Sequence, residues 1–353
     1  MTETTEKKTK IKGLTLPELE QFALSIGESK FRGNQLFKWM YNNGVTSFDQ
    51  MSNLPKDLRS YLSENFELNT LTLEKEEVSP TEGTRKLLFK TGEGNYIESV
   101  IIPEEKRNTL CISTQVGCPL DCQFCATGLM GYKKNLTAGE IVDQYLNARN
   151  VTESHITNIV YMGMGEPLLN FKETVKSLEI FSQELTVGVS SKKITVSTAG
   201  IAPKIKELAD TGLKNKLALS LHSCYEDIRT KIMPINKKYS LAEVIDACEY
   251  YAKTTDTRIT WEYVMLAGIN DRPEDIRALV KLCKQIPSKV NVIPFNSLEH
   301  MNPTGFSAEL RPTSKNKIND FCDKLRENNI TVIVRETQGK DIAAACGQLA
   351  VQF

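Results

Sequence analysis

Three cysteines, Cys118, Cys122 and Cys125, stand in the run Gly117-Cys-Pro-Leu-Asp-Cys-Gln-Phe-Cys-Ala-Thr-Gly128, a C-x3-C-x2-C spacing that confines three thiols to one tight loop. Thiolates are the usual ligands of iron–sulfur clusters. Three of them on a four-iron cluster leave one iron free to bind a substrate or cofactor. With nine cysteines in 353 residues, random placement produces this spacing roughly once in two hundred such chains. A structural zinc site wants a fourth ligand close by, and no second C-x2-C pair or H-x3-H run is present; His155, His222 and His300 are scattered. An odd, uneven set of cysteines with no apolar signal stretch ahead of it does not read as a secreted disulfide framework. A reducing, cytoplasmic setting is expected.

Apolar residues make up 40% of the chain and charged ones 25%, ordinary for a soluble globular protein with one large domain and a small one. No membrane-spanning segment is expected. Forty-four basic and forty-four acidic residues cancel, so the overall charge neither predicts nor excludes a nucleic-acid partner, and any such surface must be local. The opening lysines, Lys7, Lys8, Lys10 and Lys12, are candidates for phosphate contact or for a merely solvated terminus.

Hydrophobic residues recur at helical spacing through 14–66: Leu16, Leu19, Phe22, Ala23 and Ile26, then Phe31, Leu36, Phe37, Trp39 and Met40, then Leu58, Leu62 and Phe66. This predicts a small helical domain over 1–70. The runs Lys86–Lys90 and Tyr96–Ile102, either side of Thr-Gly-Glu-Gly-Asn, predict a β-hairpin linker within 71–104. Beyond it, over 105–353, β-branched runs alternate with helical patterns, with strands expected at 110–113, 157–162, 193–197, 217–221, 258–265, 290–293 and 330–334. The fold class is α/β, a partial (βα)6-type barrel, whose reactive residues sit at the C-terminal ends of strands. The cysteine loop follows such an end.

A C-x3-C-x2-C loop on a βα array resembles the radical S-adenosylmethionine (SAM) enzymes. Met162-Gly-Met-Gly-Glu-Pro-Leu-Leu-Asn170, Ser220-Leu-His222, Met233-Pro-Ile-Asn-Lys-Lys238 and Asp341-Ile-Ala-Ala-Ala-Cys-Gly-Gln-Leu349 resemble its RlmN branch, the dual-specificity adenine-C2 RNA methyltransferases. The resemblance implies a [4Fe–4S] cluster on Cys118, Cys122 and Cys125, and two SAM molecules per turnover. Adenine carbon 2 is electron-poor and cannot displace a sulfonium methyl directly, so a radical route suits it; the protein's part is to position the reactants and exclude competing reactions. By resemblance, Cys346 accepts a methyl group from one SAM, and a radical derived from a second SAM activates that methyl for attack on the base. Cys111 then resolves the protein–RNA adduct through a transient disulfide with Cys346, and Glu98 accepts a proton. Gly165, Glu166, Ser197, Ser220, Leu221, His222 and Asn296 match positions that contact SAM.

Taken singly, these residues have plainer readings. Cys346 in an alanine run reads as a buried small hydrophobe, Cys111 as strand core, and Glu98 as a solvated strand carboxylate. The serines and Asn296 read as capping groups, His222 as a satisfied core histidine, and the glycines as a turn. Cys224, Cys248, Cys283 and Cys322 match no motif and read as structural. Gln338 stands where the family commonly has arginine, and Lys340 and Ala343 replace frequently acidic positions, so Arg335, Lys340 or neighbouring lysines are expected to supply local phosphate contacts. The implied substrates are 23S rRNA and tRNA beside the anticodon. The implied electron donor is a flavodoxin or ferredoxin, and a monomer is expected. The rival readings are the C8-methylating Cfr branch, which shares the cluster and both cysteines, and a metal-bearing RNA-binding module without turnover.

Overall fold

The computed structural model describes residues 8–186, 189–335 and 338–351; Lys7 lies outside them. One ten-stranded sheet organises the chain. Its first three strands, β1 (Leu71–Val78), β2 (Arg85–Thr91) and β3 (Tyr96–Glu104), form an antiparallel meander. Then come β4 (Arg107–Cys111), β5 (Asn158–Tyr161), β6 (Ile194–Thr198), β7 (Lys216–Ser220), β8 (Ile259–Met265), β9 (Ser288–Pro294) and β10 (Val332–Val334). From β4 onward each strand pairs in parallel with the next. A helix occupies each crossover: Ala138–Val151, Phe171–Ser182, Ala202–Asp210, Leu241–Thr255, Pro273–Gln285 and Lys315–Glu327. This is the βα array expected from the strand runs.

The strands show why the array encloses a polar interior. In β8, Ile259, Trp261, Tyr263 and Met265 belong to the hydrophobic core, whereas the alternate residues Thr260 and Glu262 line a cavity. A strand's side chains alternate between faces; here the helix-covered face is apolar and the inner one polar. The first crossover helix starts on a reciprocal cap, with the Thr137 hydroxyl accepting from the Glu140 amide at 3.2 Å and the Glu140 carboxylate from the Thr137 amide at 2.9 Å.

The expected hairpin is present as β2 and β3, but it does not stand apart as a linker. β3 pairs antiparallel with β4, Val100 opposite Cys111 and Glu104 opposite Arg107, so the meander extends the main sheet. Glu98 on β3 is buried, 3% exposed, which corrects the solvated-carboxylate reading: Lys86 and the tail segment it holds lie over that face of the strand.

The helical segment comprises Leu16–Ser25, Lys30–Phe37 and Lys56–Asn65. Leu19, Ala23, Leu36, Phe37, Met40, Leu58 and Leu62 are buried as the periodicity requires, but Phe31 is 65% exposed. The segment shares the sheet's hydrophobic core and is tied to the first crossover helix by a buried ion pair. Lys12 Nζ lies 2.5 Å from Asp143 Oδ1. The other carboxylate oxygen of Asp143 accepts from the Thr70 amide at 2.8 Å and the Leu71 amide at 3.3 Å.

Candidate active site

A two-stranded ribbon, Gln115–Gly117 against Tyr132–Asn135, carries the cysteine loop at the C-terminal end of β4. Within the loop the Cys125 amide donates to the Cys122 carbonyl at 3.0 Å and the Gly128 amide to the Cys125 carbonyl at 3.1 Å, turning the backbone back on itself between Cys122 and Gly128. All are free thiols lining one cavity of about 140 Å³. Burial pushes the Cys118 thiol up to about 12 and raises Cys122 and Cys125, so ligation by these thiols must release protons. Among the described residues no three Cys, His, Asp or Glu side chains converge on a single-ion position.

The opposite wall is built from strand ends. Gly163 and Gly165 sit in the turn after β5, and a Cβ on Gly163 would lie 2.7 Å from the Ile112 carbonyl oxygen; Gly165 has φ +98° and would meet Gln115 at 2.5 Å. Only glycine lets the turn lie this close to the ribbon. Glu166 spends its carboxylate on structure, one oxygen accepting from the Ala199 amide at 2.7 Å and the other from Leu168 at 3.0 Å. Burial raises its pKa to about 7 against those two amides. Ser197 and Ser220 line the same cavity. Leu221 does not: it is core, with its carbonyl accepting from Arg229 Nε at 3.2 Å.

His222, at φ +57°, accepts the Val264 amide on Nδ1 at 3.0 Å. That contact assigns the proton to Nε2, and burial, reinforced by Arg229, lowers the ring's pKa to about 3, leaving it neutral. Asn296 donates from Nδ2 to the Cys346 carbonyl at 3.0 Å. Both residues line the smaller cavity, and both retain a buried atom without a hydrogen-bond partner, His222 Nε2 and Asn296 Oδ1. Such orphans are costly unless a ligand satisfies them. One donor and one acceptor beside three thiols fit a polar cofactor held against a cluster.

Arg229 was not singled out by sequence. It is wholly buried, and its guanidinium donates to the carbonyls of Ala199 at 2.7 Å, Ser220 at 3.2 Å and Leu221 at 3.2 Å and to the Asn236 side chain. It therefore latches the ends of β6 and β7 together beneath the cavity. This gives the Met233–Lys238 motif a physical role, since Asn236 receives the arginine; just ahead of the motif, the Ile232 carbonyl accepts the Gln123 amide of the cysteine loop at 2.9 Å. Replacing Arg229 with methionine strands several buried acceptors; we expect a loss of about 2–3 kcal/mol in urea unfolding, together with reduced iron retention after reconstitution. Unchanged stability and iron content would show that the latch is dispensable.

Cys346 rides on a tail fastened to the same loop. The Ala126 amide donates to the Gly347 carbonyl at 2.7 Å, and Thr127 Oγ1 to the Leu349 carbonyl at 2.6 Å. Cys346 is exposed, which corrects the buried-hydrophobe reading, and it lines both the smaller cavity and a second, of about 610 Å³. Cys111 lines only the larger one. Burial raises Cys111 to about 12, with Arg335 acting against it. Arg335 Nη1 lies 4.0 Å from Cys346 Sγ and 3.5 Å from Met162 Sδ. The arginine expected to serve phosphate thus faces the Cys346 thiol. Gln338 also lines the larger cavity and accepts from Thr84 at 3.4 Å, while Lys340 is exposed.

Glu98 lines neither cavity. Its Oε1 lies 3.6 Å from Lys86 Nζ, which also donates to the Ile342 carbonyl of the tail at 2.6 Å. Burial raises its pKa, with Lys86 opposing. Cys224, Cys248, Cys283 and Cys322 also lie outside both cavities, as their structural reading requires.

Comparison with known proteins accords with this geometry. Residues 9–68 match the ribosomal RNA large subunit methyltransferase N-terminal domain, and residues 112–283 match the radical SAM superfamily. The dual-specificity RNA methyltransferase RlmN of Alcanivorax borkumensis is 42% identical, with 99% of this chain and 92% of the relative covered. The same enzyme of Geobacter sulfurreducens is 44% identical over 96% of this chain and 91% of its own. A radical SAM methyltransferase from Sphaerobacter thermophilus superposes with a TM-score of 0.88 at 39% identity, covering 97% of this chain and 99% of that one. Radical SAM proteins use a [4Fe–4S] cluster and SAM, for which the three thiols and the orphaned atoms of His222 and Asn296 supply a fitting site. The chain belongs to the RlmN family of radical SAM RNA methyltransferases.

Proposed function

We propose that this chain methylates carbon 2 of adenine in 23S rRNA and in tRNA next to the anticodon, using Cys346 as a methyl carrier. The observation that carries the reading is the position of Cys346 on the wall shared by two cavities, the cluster cysteines in one and Cys111 in the other. Bound in the smaller cavity, the cluster and SAM supply a methyl group and a hydrogen-abstracting radical. Cys346 Sγ loses its proton and takes up the methyl; desolvation raises the pKa of this thiol, and the Arg335 guanidinium beside it acts against that rise. The larger cavity gives the target base room next to that sulfur, and a base in folded RNA must leave its stack to enter.

Cys111 then attacks Cys346 Sγ. By then the methyl carbon has given up a hydrogen atom and joined adenine carbon 2, and the adduct has lost the carbon-2 proton and one electron, which the bound cluster would take back. The carbon–sulfur bond now breaks as the Cys111–Cys346 disulfide forms, its electron pair leaves with carbon, and protonation completes the new methyl group. Glu98 is assigned the carbon-2 proton, a role that requires the tail over it to move, since it lines neither cavity. The exposed Phe31 and its helical segment contribute to the RNA surface. The enzyme works as a cytoplasmic monomer with a flavodoxin- or ferredoxin-type electron donor. No helix among the described residues is long and apolar enough to cross a membrane.

The test is anaerobic turnover on rRNA and tRNA separately, with digestion to nucleosides and mass spectrometry. 2-Methyladenosine is expected; 8-methyladenosine would move the chain to the C8 branch, and no methylated adenosine from cluster-loaded protein would overturn the substrate reading. Cys111→Ala should accumulate RNA covalently attached to Cys346, visible as a protein band retarded on a denaturing gel and restored by nuclease. Normal turnover in that variant would remove Cys111 from the scheme.

A further inference from the structure

The larger cavity does not end at the reactive cysteines. Cys111 closes β4, whereas Arg107 opens it; Lys216 likewise opens β7 and Lys289 stands near the start of β9, and all line this one cavity. Arg107 and Lys216 are exposed and Lys289 is half-buried. The cavity therefore runs the length of the sheet's inner face, from Cys346 at the strand C-terminal ends to solvent at their N-terminal ends. At that lower mouth Arg107 is paired with Glu104 at 2.7 Å. Lys216 and Lys289 lie close enough to repel each other, the deeper Glu262 being the carboxylate that draws on Lys289. Neither makes an ion pair of 4.0 Å or less among the described residues, and Glu105 is the other carboxylate at the mouth.

We propose that this lower mouth is a second entrance to the active site, through which a small anionic thiol reaches and reduces the Cys111–Cys346 disulfide. The proposal rests on the disulfide step above and adds the route and class of its reductant. Cys111 is 6% exposed on the inner wall; a protein dithiol has access only to the exposed Cys346 at the other end, whereas a molecule of the cavity's width reaches Cys111 from this mouth. The thiolate attacks Cys111 Sγ, and the S–S electron pair departs on Cys346 Sγ toward Arg335. A second thiolate attacks the small-molecule sulfur of the resulting mixed disulfide, releasing Cys111 as a thiolate that takes up a proton. Two thiols are thereby oxidised to one small disulfide, and both cysteines return reduced.

The test compares full-length, cluster-loaded protein with Lys216→Glu/Lys289→Glu, neither lysine having a part in the chemistry. Reduction of the preformed disulfide is timed with 2-mercaptoethanesulfonate, which is anionic, and 2-mercaptoethanol, which is neutral. Charge reversal should slow the anionic thiol about tenfold and leave the neutral one unchanged, which also reports that the variant is folded. In parallel, alkylation of Cys111 in the reduced protein by iodoacetate and iodoacetamide needs no disulfide and should show the same selective loss. If the disulfide never forms but the alkylation ratio shifts, the methyl-transfer scheme fails and the entrance stands. Equal effects on both reagents, no effect on either, or a Cys111 that neither reagent reaches would overturn the entrance. So would reduction by a protein dithiol alone.

Discussion

Cys346→Ala should abolish RNA methylation, by at least about three orders of magnitude, the scale on which loss of a covalent carrier acts. The fold should not notice. Cys346 is exposed, and what fastens its loop is backbone: its own carbonyl to Asn296, the Gly347 carbonyl to Ala126 and the Leu349 carbonyl to Thr127. An alanine keeps every one of these contacts, so stability should stay within about 0.5 kcal/mol of the parent. Iron content should be unchanged as well, because the three loop cysteines are untouched. Loss of methylation with retained iron and an unchanged urea midpoint separates a chemical role from a structural one; a Cys346→Ala protein that still methylates RNA would exclude the carrier scheme.

Asp143→Ala should destabilise the protein by about 3–5 kcal/mol, the cost of leaving a buried charge without its partner. Lys12 and Asp143 have side chains only 3% and 2% exposed. The substitution strands the ammonium and also removes the acceptor of the Thr70 and Leu71 amides. Because these contacts join the N-terminal segment to the first crossover helix, methylation should fall along with stability. A urea midpoint within error of the parent would show that the two parts fold independently. The same pair bears on removal of residues 1–70. Deleting a segment that shares the sheet's core should impair reactions at the cluster as well as RNA methylation, rather than methylation alone.

The strand pattern was legible because parallel strands covered by helices write an apolar face every second residue. Each of the six later strands lies within two residues of its expected limits. The cysteine loop was legible for a different reason, since ligands confined to one loop must be close in sequence. Long-range partners leave no such trace. Arg229 sits in Glu226–Ile232, a short helix that also carries Glu226, Asp227 and Lys231, and nothing local distinguishes a wholly buried guanidinium from a solvated one. Arg335 beside Cys346, and Glu98 beneath the tail, follow from how β10 and the tail close over the sheet. Periodicity located the β2–β3 hairpin but could not say that β3 has a second neighbour, or that Lys86 and the tail it holds lie over Glu98. Leu221 shared its motif with Ser220 and His222, yet alternation along the strand turns it to the core.

The most direct test of the account is to incubate the cluster-loaded protein with SAM carrying a labelled methyl group, digest it with protease and locate the label by peptide mass spectrometry. The account predicts the methyl on Cys346, and its disappearance from the protein as label enters the adenine of added RNA. Labelled RNA formed while Cys346 remains unmethylated, or a methyl group carried on a different cysteine, would contradict it.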